Sequence, residues 1–211
     1  MTTTQYSGKI EVVQGDIMSE QVSLLVAQAD HKLDSTVIKL LINKYPAFGK
    51  WLKEQSGNNA AGQTKVASLV ELGIDSPEAP KFVLIAVQPK SDNMLMLYNS
   101  IIDVAFEKNC ERIAMIALGC GFVFPYDIDV LYRPSVALVC LRAPGVSAGT
   151  SAYKLHEALK SERREWTKCP VQVIRIVDRN NSLLDVFRDK LKTWESGSIP
   201  IEDEEAMDLQ E

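Results

Sequence analysis

An apolar run that stops on glycines constrains this chain more than any other feature. Residues 112–125 read Arg-Ile-Ala-Met-Ile-Ala-Leu-Gly-Cys-Gly-Phe-Val-Phe-Pro. The run is short, continuous rather than alternating, and bounded by Gly119, Gly121 and Pro125, which is the pattern of a buried strand emptying into a loop. A strand apolar on both sides needs cover on both, so the chain is expected to build helices on either face of a sheet. Glycines in such a loop permit positive φ and bring backbone N–H groups close to an anion. Gly-x-Gly also suits an ordinary tight turn, so the neighbouring segments decide between the two.

Those segments alternate between strand and helix patterns. Residues 9–14 (Lys-Ile-Glu-Val-Val-Gln) and 22–29 (Val-Ser-Leu-Leu-Val-Ala-Gln-Ala) predict two strands, the first broken by Gly15-Asp16-Ile17 and the second ending at Asp30. Asp34-Ser35-Thr36 offers a cap for a helix carrying Val37, Ile38, Leu40, Leu41 and Tyr45, which Pro46 stops; a second helix spans 47–55. Strands are predicted at 65–71 and 82–88. A helix over 94–109 follows, whose Met94, Leu97, Tyr98, Ile101, Ile102, Ala105 and Phe106 form one apolar face, read as core packing rather than a cofactor surface. Beyond Pro125 the pattern predicts a helix within 126–141, a helix from Thr150 or Ser151 to about Trp166, a strand over 171–178, and a last helix capped by Ser182. The expected architecture is a three-layer α/β/α sandwich around a central mixed sheet, with an arm at 1–8, one domain at 9–196 and an acidic tail at 197–211.

Charge and cysteines narrow the class. The net charge of −5 comes from the tail: its last ten residues hold six acids and no base, and without them 22 acids face 23 bases. A near-neutral body implies neither strong attraction to nucleic acid nor strong repulsion. Lys160, Arg163, Arg164, Trp166 and Lys168 cluster at the end of a predicted helix, but Glu162 and Glu165 dilute them, so a solvated face is expected there rather than a nucleic-acid surface. Cys110, Cys120, Cys140 and Cys169 form no Cys-x-x-Cys pair, and His31 and His156 are the only histidines, so free thiols are expected, with neither metal nor cofactor. No apolar run is long enough to span a bilayer and the start lacks a signal-peptide pattern, giving a cytoplasmic or nuclear expectation.

Several segments together resemble the macro domains, which bind ADP-ribose and related nucleotides. Val12-Val13-Gln14-Gly15-Asp16-Ile17 is similar to the family's opening strand and Gly-Asp-Ile signature. Residues 22–30 stand where the family has a strand ending in Asn-Ala-Ala-Asn, and Leu84-Ile85-Ala86-Val87-Gln88-Pro89 resembles its Ile-His-x-Val-Gly-Pro strand. Residues 114–125 fall at the phosphate loop, in a Leu-Gly-Cys-Gly form most similar to terminal ADP-ribose glycohydrolases and DNA-ADP-ribose hydrolases. Ile174-Arg175-Ile176-Val177-Asp178 and Phe187 match the final strand and helix. The resemblance implies that Asp16 accepts from the adenine amino group and the Ile17 N–H bonds a ring nitrogen. It also implies that Ala29, Asp30 and Val37 border the ligand, and that Gly119, Cys120, Gly121, Phe122 and Val123 wrap the diphosphate. Asp16 equally suits an Asx turn after the first strand.

Three departures accompany the resemblance. Asp30 replaces an asparagine that contacts the distal ribose, and a carboxylate cannot donate as an amide does. His31-Lys32-Leu33-Asp34-Ser35-Thr36 replaces a glycine-rich stretch. Arg179-Asn180-Asn181 follows the final strand with no aromatic residue to stack on adenine. For hydrolysis, the resemblance nominates Lys90, one position from the glycohydrolase lysine with Pro89 in its place, and Asp30, with His31 beside it as a base; the phosphate loop lacks an aspartate between Gly121 and Tyr126. The implied function is binding of ADP-ribose or a related nucleotide, weakened and turned toward an interaction role rather than catalysis. The alternatives are an ADP-ribosyl hydrolase and an RNA- or protein-binding module. The tail, with Ile199-Pro200-Ile201 ahead of its acids, is a candidate strand-adding motif for a protein partner.

Overall fold

A computed structural model describes residues 6–55, 57, 59–120, 146–162 and 164–195. Six strands form one sheet in the order β1 (Lys9–Gln14), β6 (Val173–Asp178), β5 (Arg112–Met115), β2 (Leu24–Ala29), β4 (Phe82–Val87) and β3 (Thr64–Ser68). The first five run parallel and β3 pairs antiparallel with β4, which makes the sheet mixed, as the strand pattern leads one to expect. Because all five parallel strands point the same way, their carboxyl ends gather along one edge. That edge is where open α/β sheets hold ligands.

The pleat explains how apolar strands serve two layers. In β2, Leu24 and Val26 face the cluster built with helices α3 (Met94–Glu107), α4 (Ala148–Leu159) and α5 (Asn181–Glu195). Leu25, Ala27 and Ala29 face the opposite cluster with α1 (Thr36–Lys44) and α2 (Pro46–Glu54). β4 divides in the same way, with Leu84 and Ala86 on one side and Val83, Ile85 and Val87 on the other. Burial of this kind contributes roughly 1.5–3 kcal/mol per large aliphatic side chain.

Local chemistry corrects several expected boundaries. Pro46 ends α1 but also opens α2 at once, since its missing N–H is no loss at a first helical position. Ser147, rather than Thr150 or Ser151, caps α4, accepting from the Thr150 N–H at 3.0 Å. The capping oxygen of α5 belongs to Asn180, which accepts from Ser182 and Leu183, so Ser182 lies inside the helix. α4 stops at Leu159, well short of Trp166, and Trp166 instead starts a single 3-10 turn.

The basic cluster after α4 is a solvated face only in part: Lys160 and Lys168 are exposed as expected, while the Arg164 side chain and Trp166 are buried. Arg164, 5% exposed, sends Nε and Nη2 to Asp103 Oδ1 at 2.9 and 2.6 Å and Nη1 to Asn99 Oδ1 at 2.9 Å. Trp166 is buried, donates from Nε1 to Ser161 O at 3.0 Å, and meets Tyr6 and Phe106 edge-on. Arg164 and Trp166 are thus spent on docking this turn against α3. Among the described residues no helix is long and apolar enough to cross a membrane. Arg163, the helix expected within 126–141 and the acidic tail lie outside the described residues.

Candidate functional site

The carboxyl ends of β1 and β6 build a cleft of about 170 Å³. Ile17, Val37, Leu40, Ile116 and Val177 give it an apolar floor and walls. Gly15, Asp16, Thr36, Asp178 and Arg179 form its polar border. The elements converge because β1 and β6 are in register to their last pair, Gln14 with Asp178, so the turns that follow them lie side by side. The Gly15 N–H donates to Asp178 O at 3.0 Å, which ties one turn to the other.

Asp16 sits where that turn begins and is held by both oxygens. Oδ1 accepts from the Met18 N–H at 3.0 Å, capping the 3-10 turn Ile17–Ser19. Oδ2 accepts from Arg179 Nη2 at 2.7 Å. The Met18 N–H above all, and then the Arg179 guanidinium, hold the Asp16 carboxyl below the usual carboxylate range, against the opposing effect of partial burial. An ionised carboxylate has about four acceptor sites, so these two bonds leave capacity for a donor in the cleft. Ile17 is buried and is the first residue of its turn, where the N–H precedes the turn's own hydrogen bonds.

The other parallel strands end differently. Asp30, after β2, accepts with Oδ1 from both Lys32 N at 2.8 Å and Asp34 N at 2.9 Å, and its own N–H donates to Asp34 O. This Asx-type turn buries Leu33 at a φ of 61°, a left-handed conformation that a branched residue rarely adopts. The Asn59 side-chain amide donates to His31 O at 3.0 Å, and Gln88 Nε2 lies 3.4 Å from His31 Nδ1. Gln88 N–H bonds Ala29 O at 2.8 Å, closing β2 to β4. Lys90 is exposed; its backbone N–H donates to Asn93 Oδ1 at 2.8 Å.

After β5 the chain turns at Gly119, whose φ of 75° and close neighbours require glycine: a Cβ there would lie 2.7 Å from Met94 Cε and from Val146 Cγ2. The Gly119 N–H donates to the buried Gln28 Oε1 at 2.8 Å and the Cys120 N–H to Ala117 O at 3.2 Å. A buried relay fixes the same corner: the Tyr98 hydroxyl lies 2.7 Å from Ser151 Oγ, which donates to Leu118 O at 2.8 Å. Burial pushes the Cys120 thiol up to about 12, so it is a packing group and not a thiolate.

Of the residues nominated by sequence, the structure gathers Asp16, Ile17 and Val37 around the cleft. Ala29 is fully buried in the α1/α2 layer, and Asp30 and Lys90 lie outside the cleft lining. Gly119 and Cys120 are at the expected corner, but their N–H groups are committed within the fold, so they shape the loop rather than present free donors. Gly121, Phe122 and Val123 lie outside the described residues. Sequence reasoning missed Thr36, Leu40, Ile116, Val177, Asp178 and Arg179. The signal for the last was available: a charged residue immediately after a strand that ends at the ligand edge of the sheet. Among the described residues no group of three or more metal-ligating side chains comes together.

No family model matches the sequence, and no curated protein does. Solved structures do match in three dimensions. A macrodomain variant from Oceanobacillus iheyensis superposes with a TM-score of 0.66 at 15% identity, covering 92% of this chain and 96% of that one. The chain has the macrodomain fold. A Trypanosoma brucei macrodomain in complex with ADP-ribose gives 0.59 at 14% identity over 86% of this chain and 68% of its own. The alphavirus P23pro-zbd gives 0.61 at 14% identity over 93% of this chain and 26% of its own, so this chain spans about a quarter of that protein. At such identities the likeness is one of backbone. It leaves the cleft of this chain to be judged on its own side chains.

Proposed function

We propose that the chain binds ADP-ribose or a related adenine nucleotide, with the base in the cleft beside Asp16 and Ile17 and the diphosphate directed toward the loop that starts at Gly119. One observation carries this reading. Asp16 is an ionised acceptor fixed on the border of an apolar cleft, at the carboxyl edge of a parallel sheet, with acceptor capacity left over. A base amino group supplies the donor that such a carboxylate takes. Neighbours of the same fold described with ADP and with ADP-ribose support the choice of ligand.

The reading is of a binding module first. Asp30 Oδ1 already accepts two backbone N–H groups, and Thr36, from the glycine-free stretch 31–36, borders the cleft. Affinity is therefore expected to be modest, with a protein-interaction role that includes the acidic tail. One observation keeps a hydrolase reading testable: the Gln88–Ala29 hydrogen bond sets the strand ends bearing Asp30 and Lys90 side by side. Cys110, Cys120 and Cys169 are free, which suits a reducing compartment, the cytoplasm or nucleus.

Titration calorimetry with ADP-ribose tests the reading. Saturable heat with a stoichiometry near one is the expected result, and no heat at millimolar ligand would remove both the binding and the hydrolase readings. Incubation with ADP-ribosylated protein then separates those two: release of ADP-ribose that is lost in Lys90→Ala would establish the hydrolase.

A further inference from the structure

Arg175 is a charged residue in the middle of β6, an interior strand of the sheet. Its neighbours Ile174 and Ile176 face the α3/α4/α5 layer, and by the strand's period of two Arg175 shares the opposite face with Val177. Interior parallel strands are usually apolar on both faces, and aliphatic residues of similar volume replace half-buried ion pairs with little loss of stability or even a gain. Packing alone therefore does not account for a guanidinium at this place.

Its partners show what it joins. Arg175 stands opposite Glu11 in the β1 ladder, and its Nε donates to Glu11 Oε2 at 2.7 Å, an arm that stays within the sheet. Nη1 donates to Glu20 Oε2 at 2.7 Å, and this arm leaves the sheet. Glu20, whose side chain is 11% exposed, is the C-cap of the 3-10 turn Ile17–Ser19, where its N–H donates to Ile17 O at 3.3 Å. The same turn is capped at its start by Asp16, which pairs with Arg179 just after β6. β6 and the residue that follows it thus grip the turn at both ends, and Lys44 Nζ of α1 adds a bond to Met18 O at 3.4 Å. Asp16 and Ile17 belong to the cleft lining; Arg175, Glu11 and Glu20 do not.

We infer that Arg175 is a positioning residue for the cleft: acting through Glu20, it fixes the 3-10 turn against β6 so that Asp16 and Ile17 stand where a base meets them. This inference rests on the binding reading above and concerns how its site is held. The two arms of one guanidinium supply the control. Glu11 and Glu20 are chemically alike and equally close to Arg175, yet only Glu20 belongs to the turn.

Calorimetric titration with ADP-ribose and amide exchange in the ligand-free protein test it together. Glu20→Met and Arg175→Met are each expected to raise Kd about fivefold, the double variant no further than either alone, and Glu11→Met to stay within about twofold. Glu20→Gln keeps an acceptor oxygen and is expected to recover most of the affinity. In the free protein the Met18 and Ser19 amides, bonded to Asp16 Oδ1 and O, are expected to exchange about fivefold faster in Glu20→Met and at the wild-type rate in Glu11→Met. Thermal unfolding places the variants on one stability scale, and the Glu20 variants carry the test if Arg175→Met does not fold. Equal rises in Kd for Glu11→Met and Glu20→Met would reduce Arg175 to a stabilising residue and refute the inference. An unchanged Kd in both Glu20→Met and Arg175→Met would refute it with the binding reading intact. If the wild type does not bind, the binding reading fails on its own; unchanged exchange in Glu20→Met then refutes the positioning role as well, and faster exchange upholds the hold on the turn.

Discussion

The two halves of the ligand edge treat their polar groups in opposite ways. At the ends of β1 and β6, Asp16 and Arg179 hold each other at the border of an open cleft. At the ends of β2 and β4, and at the β5 corner beside them, polar groups bond within the fold: Asp30 Oδ1 takes the Lys32 and Asp34 N–H groups at the surface, Gln28 takes that of Gly119, and Asn59 donates to His31 O. A polar group bonded inside the fold lowers the free energy of folding but has less left for a ligand. Under the proposed function, the difference places recognition in the first half and architecture in the second. Substitutions in the first should therefore change affinity, and those in the second stability.

The strongest way to break this division is at the β5 corner. Gly119→Val places a branched side chain at a φ of 75°, against Met94 and Val146, and is expected to cost about 3 kcal/mol or more in chemical denaturation. Gln28→Leu keeps most of the volume but strands the Gly119 N–H in a buried place, an expected loss of about 1–3 kcal/mol. If Gln28→Leu lowered nucleotide affinity with unchanged stability, the second half would have a direct binding role and the division would fail.

A pH titration sharpens the architectural side. Burial, and secondarily Lys160, pull His156 down to about 4 from its ordinary value of 6.5. Between those values the unfolded chain binds a proton that the folded one refuses, so stability falls as pH drops from about 6.5 to about 4. Allowing for a ring that is only part-buried, the decline is on the order of 1 kcal/mol. It should disappear in His156→Gln. Asp16 acts at lower pH with a related sign: its depressed carboxyl contributes stability above the ordinary Asp value, about 3.9, and loses it as pH falls through the lower folded value.

How much of this was legible in the sequence follows from the range of the interactions. The strands, α1, α3 and the layered architecture rest on local pattern, and residues 9–14, 82–88 and 94–109 carry it plainly. Asp16 and Ile17 were legible because a turn after the first strand at the sheet edge is itself local. The fates of Gln28, Arg164 and Tyr98 were not: each side chain answers a partner more than 50 residues away. Nothing in the surroundings of Arg164 in sequence reveals that Asn99 and Asp103 on α3 will enclose it. The same reasoning covers Arg179, which meets Asp16 only when β6 is laid beside β1. Asp30 shows the converse. It lies beside β4 but outside the cleft lining, and its Oδ1 is held in a turn made of its own neighbours.

The direct test of the division is a pair of calorimetric titrations with ADP-ribose, on Asp16→Ala and Asp30→Ala, with unfolding free energies measured on the same samples. Asp16→Ala is expected to raise Kd about tenfold or more, the loss of a charge-assisted hydrogen bond. Asp30→Ala is expected to stay within about twofold in Kd while losing about 1 kcal/mol of stability from its turn. The reverse pattern, with affinity abolished by Asp30→Ala and untouched by Asp16→Ala, would contradict the assignment of the two halves.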